Sequence, residues 1–60
     1  LLDLPVRYRA PVILALVEGW SHHEIARLMR CREGTVKSRI FRGRQMLQKQ
    51  LEGYRNGGSP

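Results

Sequence analysis

The sequence is poor in almost everything that catalysis, metal binding or membrane insertion requires. Its single cysteine, Cys31, can form no internal disulfide. With one thiol and the adjacent pair His22 and His23, no structural zinc spacing exists. Neighbours on a helix diverge by about 100°, so the two histidines read as first-turn surface residues, and Cys31 as a small buried apolar one. The longest uninterrupted apolar run, Ala10 to Val17, falls far short of the ~20 residues that cross a bilayer. No signal-peptide pattern precedes it. Paired carboxylates, a nucleophile beside a base and a phosphate-cradling loop are all missing, which argues against an enzyme and leaves no call for a cofactor. Sixty residues allow one small domain and no cleft with its own walls. A chain opening on Leu1 without methionine is expected to be a piece of something longer. A reduced, cytoplasmic setting fits the lone thiol.

Acidic residues are scarce where basic ones collect. Through residue 29, Arg7, Arg9 and Arg27 are balanced by Asp3, Glu18 and Glu24. From residue 30 onward, Arg30, Arg32, Lys37, Arg39, Arg42, Arg44, Lys49 and Arg55 face only Glu33 and Glu52. The whole net charge of +6 therefore sits in the second half. Such a block is either a solvated face or a surface for a polyanion, nucleic acid being the favoured reading.

The apolar spacing is helical. Pro5 suits the first position of a helix, where its missing N–H does no harm. Pro11 inside a continuous helix would cost about 3 kcal/mol, so a short turn at Pro5–Tyr8 followed by a break is expected. The main first helix would then run from Pro11 to Glu18, burying Val12, Ile13, Leu16 and Val17, with Gly19 ending it. Ser21-His22-His23-Glu24 spells a capping box and sets a second helix start at His22. Ile25, Leu28 and Met29 form that helix's apolar stripe.

After a break at Arg30–Arg32, a longer helix is expected to about Glu52. With Val36 at 0°, the residues Ile40, Gly43, Leu47 and Leu51 fall between about −20° and +60°. Lys37, Ser38, Phe41, Arg42, Gln45 and Gln48 fall between about 100° and 240°. One face is core; the other is long, polar and basic, with Phe41 as its lone apolar member. Gly53–Pro60 reads as a disordered tail. The domain is thus 1–53, with a tail at 54–60.

The expected fold is all-α: a small helix-turn-helix bundle of three to four helices with a long C-terminal recognition helix. Ala26 is small enough for the third helix to cross closely, and Val36 and Ile40 return the apolar contact. The recognition helix of this motif presents its first turns to the DNA major groove. Lys37 and Arg42 can donate to guanine, Ser38 can bond several base edges and Phe41 can pack on a thymine methyl. Thr35, Arg39 and Arg44 flank them, where phosphates would be reached.

The wording Glu18-Gly19-Trp20-Ser21, Glu24-Ile25-Ala26, Cys31 and Gly34-Thr35-Val36-Lys37-Ser38-Arg39-Ile40-Phe41-Arg42 resembles region 4 of sigma-70 family sigma factors, in particular the extracytoplasmic-function group. Leu4-Pro5 and Arg7-Tyr8-Arg9 resemble its usual opening. The likeness spans residues 4–52. It implies recognition of the −35 promoter element as part of RNA polymerase, with double-stranded promoter DNA in the major groove. It also implies docking on the β flap of the polymerase core, and sequestration by an anti-sigma factor. By position it makes Lys37, Ser38, Phe41 and Arg42 base-reading residues and Ser21, Gly34, Thr35, Arg39 and Arg44 phosphate contacts. The polymerase and anti-sigma surface would lie mainly on the first helix and the outer recognition helix.

Three positions depart from that pattern. Arg30 stands where a turn usually has glycine or a short polar residue, and left-handed geometry there would cost roughly 1 kcal/mol. Arg32-Glu33 replaces a proline-led helix start. Gly43 replaces the usual alanine, costing roughly 1 kcal/mol of helix propensity. Other readings stay open. The output domain of LuxR-type regulators shares Ser-x-x-Glu-Ile-Ala and Thr-Val-Lys but continues differently. A pure protein-interaction module or the DNA-binding tail of a recombinase would also carry a basic helix.

Overall fold

The computed structural model describes residues 4–58. They form three helices: α1 (Val6–Leu16), α2 (His22–Met29) and α3 (Glu33–Gly58). No strand occurs among the described residues, and no helix is long and apolar enough to cross a membrane.

α1 is one helix, not a short turn, a break and a second helix. Pro5 is its N-cap, and the Pro5 carbonyl accepts from the amides of Tyr8 and Arg9, both at 2.9 Å. Pro11 lies inside the helix. Its ring is fully buried, and that apolar packing offsets the lost hydrogen bond. The acceptor left without a partner is the carbonyl of Arg7, an exposed residue. α1 ends at Leu16, two residues before the expected Glu18. Gly19 does turn the chain, at φ +75°, and the Trp20 amide closes that turn on the Leu14 carbonyl at 2.9 Å.

The buried face of α1 is also rotated from the expected one. Pro11 and Val12 are buried, and Leu14 and Ala15 pack partly against the core. Leu16 and Val17 are 52% and 73% exposed. A helical stripe drawn through Val12 and Ile13 left out Pro11, whose ring is as apolar as its neighbours and faces inward. α2 shows the same kind of shift: Ile25 and Ala26 are buried, whereas Leu28 is exposed.

The capping box is present in full at the start of α2. The Ser21 amide donates to the Glu24 carboxylate at 2.9 Å, and the Glu24 amide donates to the Ser21 hydroxyl at 3.1 Å. At the other end Arg30 adopts φ 55°, ψ 49°, the left-handed region. The Cys31 amide reaches back to the Ala26 carbonyl at 3.0 Å, the six-residue closure of a Schellman turn. This turn sets the angle between α2 and α3.

Ile25, Ala26, Val36 and Ile40 form the central cluster, with Met29 and Cys31 partly packed against it. Cys31 is half-buried. α1 lies on α3 through one close approach. A Cβ on Gly43 would overlap the Cγ2 of Val12 and stand 3.3 Å from the Tyr8 carbonyl oxygen. Gly43 is therefore a contact surface for α1, beyond its effect on helix propensity. Past Gly43, α3 outruns its partners: Leu47 is half-buried and Leu51 exposed, although both share the core face by phase. α3 continues to Gly58 instead of yielding to a disordered tail at residue 54. Each residue added to a formed helix gains a hydrogen bond without a new nucleation cost. Ser59 and Pro60 lie outside the described residues.

Two outcomes follow from this packing. Gly43→Ala should gain about 1 kcal/mol of helix propensity and lose about 1–3 kcal/mol by overpacking against Val12, a net loss in denaturant melts. In a Val12→Ala background the same substitution should become stabilising, and a raised melting temperature for Gly43→Ala alone would contradict the close approach. Arg30→Gly should stabilise the chain by roughly 1 kcal/mol, because glycine carries no Cβ into the left-handed region.

Candidate nucleic-acid interface

α3 begins where three amides lack helical acceptors. Its first internal bond runs from the Val36 amide to the Arg32 carbonyl at 3.1 Å. The amides of Glu33, Gly34 and Thr35 therefore point out of the helix end, where the macrodipole is positive. Gly34 is exposed, and a Cβ built there would meet nothing within 4 Å. A ligand can approach this backbone closely.

Ile40 and Phe41 divide the helix. Ile40 is 7% exposed and Phe41 63% exposed, one residue apart. Lys37, Ser38 and Arg42 are exposed with Phe41 on the outer face. The four expected base-reading residues thus share one solvent-facing surface over two turns of α3. Leaving a phenyl ring in water wins nothing for the fold, so Phe41 stands as an exposed apolar surface on this face.

Two open clefts flank this ridge. One, of about 460 Å³, lies toward the start of α1 and is lined by Thr35, Ser38, Arg39 and Arg42 together with Arg7 and Tyr8. The other, of about 540 Å³, lies toward α2 and is lined by Lys37, Phe41, Arg44, Gln45 and Gln48 together with His22. Neither has an acidic lining residue. The cations on both sides of the ridge therefore raise the local potential without internal neutralisation.

The expected phosphate contacts are distributed around the ridge. Gly34, Thr35 and Arg39 border the first cleft and Arg44 the second. Ser21 stands apart at the N-cap of α2. Its hydroxyl oxygen accepts from the Glu24 amide, and the hydroxyl also stabilises the Glu24 carboxylate. Arg7, Tyr8 and His22 were not expected at the site. No local pattern marks them, because they reach α3 only through the crossing of the helices. The two histidines diverge: His22 lines the second cleft, while His23 Nδ1 meets Glu33 Oε2 at 3.1 Å and joins the first turns of α2 and α3. Among the described residues, no three histidine, cysteine or acidic side chains gather as a metal site would need.

Glu24 is held below the ordinary glutamate range, first by the Ser21 amide and then by the Ser21 hydroxyl. A carboxyl whose folded value is depressed contributes stability above its unfolded value and loses it as the pH falls through the folded one. Acid melts of the wild type should therefore lose stability from the ordinary glutamate range downward. Glu24→Gln should remove that part of the slope while leaving neutral-pH helix content nearly intact, and an unchanged acid slope would show that the cap carboxylate is not coupled to folding.

The comparisons with known proteins converge on one family. The family described as sigma-70, region 4, matches residues 1–47. The chain is 48% identical over 49 residues to the "ECF RNA polymerase sigma factor SigE" of Mycolicibacterium smegmatis, covering 82% of this chain and 19% of that protein. It is 45% identical over 58 residues to the "ECF RNA polymerase sigma factor SigM" of Mycobacterium tuberculosis, covering 97% of this chain and 29% of that protein. Against the "ECF RNA polymerase sigma-E factor" of Haemophilus influenzae it is 40% identical over 50 residues, covering 83% and 26%. The chain thus spans less than a third of the length of these relatives.

Proposed function

The chain belongs to the sigma-70 region 4 family, and from that membership we propose that it reads the −35 promoter element for an extracytoplasmic-function sigma factor. α3 lies in the major groove, with Lys37, Ser38, Phe41 and Arg42 against base edges and Ser21, Gly34, Thr35, Arg39 and Arg44 against phosphates. The module does no chemistry of its own; it brings RNA polymerase to chosen promoters in the bacterial cytoplasm. The observation that carries this reading is the neighbouring pair in which Ile40 is buried and Phe41 exposed, because it turns a continuous basic ridge outward with one apolar reader in its centre.

The partners follow from the same membership: the β flap of the polymerase core and an anti-sigma factor. Val6 and Leu16 of α1 and its C-cap Val17 are exposed apolar residues, which supports a protein contact on that helix.

The test compares Ile40→Ala with Phe41→Ala. Ile40→Ala should open a cavity and cost roughly 2–5 kcal/mol of stability. Phe41→Ala should change stability by less than about 1 kcal/mol. It should weaken binding to duplexes selected by the chain from a random pool by roughly 1–3 kcal/mol, while weak binding to scrambled duplexes survives. Binding should fall linearly with log salt at about 0.9 per phosphate neutralised, with roughly three to five contacts. A flat salt response would refute nucleic-acid binding, and a Phe41→Ala chain that unfolds like Ile40→Ala would refute the placement of the reading face.

A further inference from the structure

The cleft between the start of α1 and the first turns of α3 is lined by three arginines, Arg7, Arg39 and Arg42. They come from two helices. No carboxylate among the described residues is paired with any of them. Thr35 and Ser38 add hydroxyls to the same lining, and the amides at the start of α3 face outward beside them. Convergent guanidiniums repel one another, and the arrangement gains most when an anion sits among them.

Arg7 is held toward this cleft by two features. Its guanidinium carbon stands 5.3 Å from the centroid of the Tyr8 ring, a cation–π distance that limits its wandering. Tyr8 is itself pressed to α3, since its carbonyl oxygen and Cβ would stand 3.3 Å and 3.6 Å from a Cβ on Gly43. The absent side chain at Gly43 thus brings the Arg7-Tyr8 backbone against the reading helix. Arg9, two residues on, points about 160° away around α1 and does not line the cleft.

We propose that Arg7 of α1 and Arg39 of α3 clamp one DNA backbone phosphate in this cleft, so that the first helix belongs to the DNA interface and sets how α3 enters the groove. The inference rests on the DNA-binding reading above. Arg42 and Ser38 extend past the clamped phosphate to the base edges, and the Thr35 hydroxyl completes the donor set. A guanidinium fits a phosphate in bidentate fashion, which a lysine does not. The phosphate is a backbone group, so the contact adds affinity and orientation at every sequence alike.

The experiment titrates a labelled random-sequence duplex with the full chain between about 50 and about 200 mM salt. The proteins are wild type, Arg7→Ala, Arg7→Lys, Arg9→Ala and the double variant Arg7→Ala with Arg39→Ala, with helix content checked by circular dichroism. Arg7→Ala should weaken binding roughly tenfold at low salt, the low end for a charge-assisted contact, with little change in the log–log salt slope because Arg39 still neutralises the same phosphate. The double variant should lower that slope by about 0.9, one phosphate. Arg7→Lys should restore only part of the affinity, and Arg9→Ala should match wild type. Equal losses in Arg7→Ala and Arg9→Ala would mean diffuse attraction to the whole helix and would overturn the clamp. So would an Arg7→Ala affinity equal to wild type, or a double variant whose slope equals that of wild type. In each case the wild-type slope still stands for DNA binding, whereas a flat wild-type slope removes that reading and the clamp together.

Discussion

The contact of α1 with α3 at Gly43 is the constraint on which the rest of this small structure depends. Val12 and Tyr8 occupy the space where a side chain at Gly43 would be. Because they do, α1 lies close along α3, Pro11 is buried and the start of α1 flanks the recognition helix. A glycine in mid-helix costs roughly 1 kcal/mol against alanine. Here the closer helix crossing offsets that cost, and the same crossing adds Arg7 and Tyr8 to a cleft that α3 cannot form alone.

The second constraint is the turn between α2 and α3. Arg30 accepts left-handed geometry so that the Cys31 amide can close on the Ala26 carbonyl. The bend brings Ile25 and Ala26 against Val36 and Ile40. A core of so few residues is marginal, and it leaves one face of α3 committed inward. The opposite face is then free to concentrate cations. Their mutual repulsion works against folding, yet the same unneutralised charge is what a polyanion would meet. Stability and binding draw on opposite faces of the same two turns.

Much of this was legible from residue types and spacing. The capping box at Ser21 requires only a hydroxyl and a carboxylate three residues apart, and both of its hydrogen bonds are present. The break at Arg30–Arg32 was legible as the point where one helix stops, while the left-handed geometry of Arg30 was raised only as a condition, from the resemblance. The phase of α3 placed Ile40 inside and Phe41 outside because a regular helix advances by a constant angle per residue. The exposure of Lys37, Ser38, Phe41 and Arg42, proposed above as reading residues, came with that phase.

Local pattern failed where the answer depended on what lies across the molecule. Pro11 was read as a break because its cost is local, while its compensation is burial against other helices. Leu16, Val17 and Leu28 are as apolar as core residues, but the crossing angles leave them outside. Leu47 and Leu51 share the core phase of α3, but α1 and α2 are too short to cover them. Arg7, Tyr8 and His22 join the candidate interface only because two other helices end beside α3. The sequence by itself determined helix starts, helix phase and the side on which charge collects, since these follow from bonds and angles within a few residues. Only the tertiary structure decided which apolar residues are covered and which distant cations meet, since burial and proximity are properties of pairs of helices and not of either one alone.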